Sequence, residues 1–497
     1  MNSKNTLKKS PKLVVIGAGI AGVGAAGKLL THGFTDIQIV EASSQPGGRI
    51  KSSLFGKSTV DEGAQYIHGA SVKNPIFQLA KEHGLLQETQ DRSDPELSVL
   101  TNMQKQMDPD VTKEVKNLSS SILRRAHLIA QQKQYTQANS LADVYLEEVK
   151  MLVAQWDGDH TDLRRQKLGL LSMLMKWQCV HHAAGSLSEV SVHEYEEYNT
   201  IEDHDRNSQG MLYCSRLFPN LLEKLLEVIP REKLLLKKPV QQILWNGSFE
   251  SEDRSLYPVK VLCEDGGHIL ADHVILSISL GCLKANGQSL FQPRLPEQKL
   301  NAIQSMGFGT MNKIYLEFEA PFWDENTDVI GLVWEEETPL SRQEPNLAEW
   351  WKSAPVFYVF KPTERYGHLL VGTISGKEAE FIESLSLQEV ASSLTCLFRQ
   401  FTGRSSLPEL KNVFVTKWFS NPYTRGSYSH ISINSTGDMI DLLTEPLPHA
   451  TEGSGSPMLQ LLFAGEATHR SYHSTTHGAL LSGWREAERL IDLYSTK

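Results

Sequence analysis

The sequence predicts an α/β fold, and three observations point to it. A β-branched apolar run, Lys12-Leu-Val-Val-Ile-Gly17, ends in glycine; Ile20 to Leu30 follows with small residues at helical spacing, and Ile37-Gln-Ile-Val-Glu41 makes a second strand. This is a strand–helix–strand opening, the unit of a parallel sheet. Near the other end of the chain, Leu459-Gln-Leu-Leu-Phe-Ala-Gly465 has the continuous apolar character of a buried parallel strand, and a helix is predicted from about Gly478 to Tyr494. Between them, Lys313 to Phe318 alternates as a half-buried strand does, and Val356 to Phe360 and Leu369 to Thr373 resemble it, which suggests a second sheet.

The intervening elements follow in order. From Pro95 to Met175 the chain reads as a helical insertion, with Val115, Leu118, Ile122 and Ile129 on one buried face. Phe218, Leu221, Leu222, Leu225, Leu226 and Ile229 make an amphipathic helix. Strands come next: Leu234 to Leu236, Val240 to Trp245, Val259 to Cys263, a turn at Gly266-Gly267, then His273 to Ser277. Asp91 to Asp110 and Pro446 to Pro457 read as mobile surface loops, and no internal repeat is evident.

Composition narrows the function classes. The 497 residues are 40% hydrophobic and 22% charged, the profile of an ordinary globular protein with chain enough for two or three domains. A net charge of -10 makes a nucleic-acid partner unexpected and suits a cationic substrate. No run approaches the ~18 apolar residues a spanning helix needs, so no membrane partner is expected. Five cysteines without a CxxC pair argue against a disulfide scaffold or a metal site. The polar, basic stretch from Met1 to Lys12 has no signal-peptide core, and a reducing compartment fits the thiols.

Three motifs carry chemistry. Gly17-Ala-Gly19-Ile-Ala-Gly22 joins strand to helix, and Glu41 lies 19 residues beyond Gly22. The first glycine permits the tight turn, the second lets backbone approach a diphosphate, and the third lets helix pack on strand, while an acid at this spacing reaches ribose hydroxyls. Gln45-Pro-Gly47-Gly48-Arg49 then adds backbone donors and a fixed cation. Near the C-terminus, Phe463-Ala-Gly465-Glu466-Ala-Thr468-His469 and Ser474-Thr475-Thr476-His477-Gly478 deliver a carboxylate and a helix start whose dipole favours negative charge.

These motifs, together with Asp61-Glu-Gly63-Ala-Gln-Tyr66-Ile-His68-Gly69, Gly307-Phe-Gly309-Thr-Met-Asn312-Lys313 and Trp418 through Tyr423-Thr-Arg425-Gly-Ser427-Tyr428-Ser429, resemble the animal polyamine oxidases of the flavin amine oxidase superfamily. The N1-acetylpolyamine branch fits better than the spermine branch. The resemblance implies FAD rather than NAD, held without a covalent bond because Ser427 stands where monoamine oxidases carry a cysteine. It implies a Rossmann-like FAD-binding domain from 1–90, 211–300 and 412–497 and a substrate-binding domain of mixed sheet plus helices from 91–210 and 301–411. By the same resemblance Lys313 and His68 are catalytic; Gly17, Gly19, Gly22, Glu41, Gly48, Arg49, Val240, Trp418, Gly465, Glu466 and Thr476 bind cofactor; and Tyr428, Asn312, Ser474 and Thr475 bind substrate.

The activity implied is oxidation of an N1-acetylated polyamine beside a secondary amine by O2, with a spermine oxidase as the alternative and a silent flavin-binding scaffold as the remote one. Gln178 falls near the position where the family reads the distal amine with an acid, which leaves substrate charge selectivity open. A monomer is expected. The C-terminal Ser495-Thr496-Lys497 is not the usual peroxisomal tripeptide, so cytoplasm is expected before peroxisome.

Overall fold

The computed structural model describes residues 11–495 apart from 87–88, 92–94, 133–137, 157, 159, 199–200, 202–208, 215, 342–344 and 449–458. Strand β1 (Leu13–Ile16) leads through helix α1 (Ile20–Thr31) into strand β2 (Ile37–Val40), which pairs with it in parallel, Val15 opposite Ile39. His273–Leu276 lies on the other side of β1, and Leu461–Phe463 and Leu234–Leu235 form the two edges of this five-stranded parallel sheet.

Both faces of the sheet are buried, so its strands are apolar at all positions but Gln38 and His273. Leu13, Val15, Ile37, Ile39 and Leu462 enter one core, and Val14, Ile16, Val40, Val274 and Phe463 enter the other. The first core is covered by α1 and by the closing helix Thr476–Ser495. These two helices cross where both are glycine: a Cβ on Gly483 would overlap the Ala21 carbonyl oxygen, and one on Gly24 would press on Leu480 at 2.5 Å.

A second sheet has six strands, in the order Leu410–Val415, Met311–Phe318, His368–Ser375, Val356–Val359, Val329–Val333 and Leu97–Thr101. Neighbours are antiparallel except the last pair. One face, with Ile314, Leu316, Phe318, Phe357 and Leu370, packs on helix Leu387–Thr402, whose start is closed by a Ser386–Glu389 capping box. At one end of the opposite face, Val329, Val333 and Val356 pack against three helices, Pro109–Gln131, Leu141–Gln155 and Thr161–His182. At its other end that face turns Lys313, Val371 and Thr373 toward a large cavity.

Two expectations are corrected. The stretch Asp91 to Asp110 is not a surface loop: it holds the edge strand Leu97–Thr101, with Val99 and Thr101 buried, and Pro109 opens a helix capped by Asp108. Its partner Val329–Val333 lies far along the chain, so nothing local marks it. The domain edges at 90, 210 and 411 each fall inside a strand, in Thr89–Asp91, Gln209–Cys214 and Leu410–Val415. Those strands are held by ladder pairing on both sides of the break, so no linker sits there. The loop expected at Pro446 to Pro457 lies, from 449 on, outside the described residues.

The glycine crossing gives a test. Gly→Ala in a helix interior ordinarily stabilises by about 1 kcal/mol. At Gly483 the overlap with Ala21 outweighs this, and Gly483→Ala is expected to destabilise the protein by about 1–3 kcal/mol in urea unfolding.

Candidate active site

The cavity measures about 1880 Å³, well above the ~300–1,000 Å³ of a site for one drug-sized molecule, and it runs from the turn after β1 to the helices beside the second sheet. At its first end, Gly17 turns the chain with φ +101°, and a Cβ on Gly22 would overlap the Gly17 carbonyl oxygen. Gly19 differs, since the nearest atom to a Cβ there lies 3.9 Å away and the residue opens to the cavity. Gly19 caps α1 with no side chain, so the first-turn amides have no intrahelical acceptor and are free for an anion.

Glu41 closes the other side of this turn. Its Oε2 accepts from the Ala18 amide at 2.8 Å, and its Oε1 accepts from the Ser43 amide at 2.8 Å and the Ser43 hydroxyl at 2.6 Å. These bonds hold a buried carboxylate at the cavity wall. Gly48 and Val240 line the same region.

In the middle of the cavity an ion pair joins distant segments. Arg49 Nη1 donates to Glu466 Oε1 at 2.8 Å and to the Ser427 carbonyl at 2.9 Å. Glu466 Oε2 accepts from the Ser429 hydroxyl at 2.5 Å and the Ser474 amide at 2.8 Å. Burial alone would raise the Glu466 pKa, but the Arg49 charge and these donors hold it below the usual carboxylate range. Both oxygens of this carboxylate are thus already engaged by its own chain. Gly465, before it, takes φ +116°, open to glycine alone without strain.

Lys313 lies on the strand Met311–Phe318, buried, with Nζ donating to the carbonyls of Asp61 and Gly63 at 2.8 Å and to Gln65 Oε1 at 2.6 Å. Burial lowers its pKa to about 8 against the pull of Asp61 and Glu62. Asn312 is its strand neighbour and therefore points the other way. Its Nδ2 donates to the Ala379 carbonyl at 2.9 Å and Glu383 Oε1 at 2.7 Å, inside the core beneath the sheet. The expected substrate contact at Asn312 is corrected accordingly: the residue does not reach the cavity.

Trp418 and Tyr428 both line the cavity, the latter anchored by its hydroxyl donating to the Val180 carbonyl at 2.5 Å. His68 lines it too, with its pKa lowered to about 4 by burial and by neighbouring His181. Ser474, Thr475 and Thr476 line it at the start of the closing helix, but two of their hydroxyls are engaged: Ser474 donates to the Ser429 carbonyl and Thr475 to the Tyr472 carbonyl. Gln178 is on the wall as well. Sequence reasoning missed five further histidines that line the cavity, His127, His181, His182, His430 and His473. Only His430 carried a signal, standing two residues beyond Tyr428 and thus on the same strand face.

The family model described as flavin containing amine oxidoreductase matches residues 20–491. The chain belongs to this family. It is 39% identical to human peroxisomal N(1)-acetyl-spermine/spermidine oxidase and 38% identical to the bovine protein of the same name, over 98% of this chain and 96% of each relative. A probable polyamine oxidase 5 of Arabidopsis thaliana is 28% identical over 98% of this chain and 99% of its own length. This amine oxidoreductase is thus a flavoenzyme with FAD as cofactor. The cavity fits that group, since it joins an uncapped helix start and a held carboxylate to a distant aromatic wall. Among the described residues, no group of three or more His, Cys, Asp or Glu is placed to hold a metal, and no helix is long and apolar enough to cross a membrane.

Lys313 supplies a pH test. Its folded pKa of about 8 lies below the unfolded 10.5, so the unfolded chain binds the extra proton between those values and this residue's contribution to stability rises with pH there. The stability of wild type minus Lys313→Met is expected to climb by roughly 3 kcal/mol from pH 8 to pH 10.5 in urea unfolding.

Proposed function

We propose that this enzyme oxidises the carbon next to a secondary amine of N1-acetylspermine or N1-acetylspermidine, giving a shorter polyamine, an aminoaldehyde and hydrogen peroxide. The observation that carries the reading is the meeting of Lys313, Trp418 and Tyr428 in the same cavity that begins at the glycine turn. The names of the human and bovine relatives support the acetylated substrate. So does Gln178, a neutral amide on the wall.

The chemistry FAD would supply when bound is a hydride acceptor for the amine carbon and a route for those two electrons to O2. Each residue's part follows from its position. The α1 amides above Gly17, Gly19 and Gly22 take the diphosphate, and Glu41 takes ribose hydroxyls. Gly48, Arg49, Val240, Trp418, Gly465, Glu466 and Thr476 enclose the remainder of the cofactor, with the closing helix's N-terminal dipole available to negative charge. Lys313 has three acceptors around Nζ, which occupy its three N–H groups and hold a proton there near neutral pH; it orients a water where the Gln65 side chain gives up its place to one. Tyr428, His68, Ser474 and Thr475 face the substrate, the aromatic ring stripping water from its methylenes. The amine must lose its proton at the reacting nitrogen, because only a free lone pair drives hydride release.

Noncovalent attachment follows from Ser427, whose hydroxyl donates to the Met311 carbonyl at 2.8 Å and accepts from the Met311 amide at 2.9 Å. We place the domain edges just outside the strands named above, read the enzyme as a monomer acting on small molecules, with neither nucleic acid nor membrane as a partner, and favour the peroxisome on the relatives' names over the cytoplasm.

Peroxide release from N1-acetylspermine, N1-acetylspermidine and spermine, measured side by side, tests the activity. Acetylated amines are expected to have the higher kcat/KM; a higher value for spermine would make this a spermine oxidase, and no peroxide from any of them would leave a flavin-binding scaffold. Acid precipitation of the purified enzyme is expected to leave the yellow flavin in the supernatant, and flavin retained in the pellet would contradict noncovalent binding.

A further inference from the structure

We infer that His182, His430 and His473 form an acceptor site for a protonated amine, built from neutral imidazoles rather than a carboxylate. All three line the cavity, yet they come from separate elements: His182 from the last turn of Thr161–His182, His430 from the strand Tyr428–His430, and His473 from the turn before the closing helix. The close approach of these elements is enforced by glycine, since a Cβ on Gly309, the pairing partner of Tyr428, would overlap the Ala183 carbonyl oxygen at the end of the helix.

Tautomers define what the site offers. His473 Nδ1 lies 2.9 Å from the Arg470 carbonyl, an acceptor only, so Nδ1 carries the proton and Nε2 keeps a bare lone pair. No partner for that nitrogen occurs among the described residues. His430 is 4% exposed, and its Nδ1 has no hydrogen-bond partner among the described residues. The lone pair on His473 Nε2, and the one His430 Nδ1 presents in the Nε2–H tautomer, are satisfied by an N–H donor, and an ammonium brings three. Tyr198 stands edge-on to His473 at 5.4 Å and Tyr195 lies 6.0 Å from His182, so aromatic rings flank the site.

Burial and the rings' mutual repulsion keep the imidazoles uncharged, so the rings themselves oppose an entering cation with no like charge, and the cation acting on them is Lys284, toward His430. The charged groups facing the cluster are Lys284 and Glu466 toward His430, and Glu466 and Glu197 toward His473, with His181 beside His182. Glu466 is neutralised by Arg49, and Glu197 by Arg470 at 2.6 Å. The imidazoles are thus left to read the ammonium by lone pairs instead of by a full negative charge. The choice of an amine as ligand rests on the amine-oxidation reading above, and the site would hold the amino group of the substrate that is not being oxidised.

Calorimetric titration of the FAD-loaded enzyme with hexylammonium and with 1-hexanol, under nitrogen, tests the site without turnover. Hexylammonium is expected to bind at least about tenfold more tightly than the alcohol. The His430→Phe/His473→Phe double variant should lose that preference, while His430→Gln, which keeps an acceptor, should retain most of it. Equal affinity for the two ligands in wild type, which needs no variant to fold, would overturn the proposal, as would an undiminished preference in a flavin-loaded double variant. Lack of peroxide from polyamines alongside an intact ammonium preference would instead sink the substrate reading and leave the site standing.

Discussion

The Arg49–Glu466 ion pair is the contact on which the rest of the site depends. It joins a turn near the N-terminus to one near the C-terminus, and through the Ser427 carbonyl, the Ser429 hydroxyl and the Ser474 amide it also binds the strand at Tyr428 and the approach to the closing helix. Two charges are costly to take from water, and such a pair holds only where further hydrogen bonds occupy the remaining oxygens. Here they do. The pair therefore acts as a positional lock more than a source of stability, setting the glycine turn, the aromatic wall and the closing helix around one cavity.

A second constraint is the period of two along the strand Met311–Phe318. With Ile314 and Leu316 committed to the core beneath the sheet, odd-numbered positions must face the other way, which brings Lys313 and Tyr315 out beside Asp61. Asn312 belongs to the buried set and steadies the loop at Phe419 through Glu383, whose carboxylate accepts from the Phe419 and Ser420 amides. The lysine is thus oriented by the hydrophobic alternation of its neighbours. Its three oxygen partners then let it keep a proton in a buried place at neutral pH.

Charge is handled differently at the cavity's two ends. Toward the glycine turn there are open helix amides and a fixed carboxylate, suited to an anionic diphosphate and its sugar. Toward the helices the wall is aromatic and imidazole-rich, and Glu466 and Glu197 near it are already ion-paired. A cation entering that end exchanges water for lone pairs and ring faces, which discriminate by geometry rather than by net charge.

The parallel sheet's opening, the glycine turn after it and Glu41 were legible from local periodicity and short-range spacing, whereas Lys313, Trp418 and Tyr428 were indicated by the resemblance to a known family. Strand Leu97–Thr101 was not legible, since a five-residue strand is defined by its partner and that partner, Val329–Val333, is remote in the chain. Nor was the exclusion of Asn312, which needs the sheet's two faces to be assigned before its side can be known. The occupation of Glu466 by Arg49 and the gathering of His182, His430 and His473 were decided by the tertiary structure alone. Each joins residues from separate elements, the histidines' approach being set by backbone packing at Gly309, and no pattern within one segment records such a meeting.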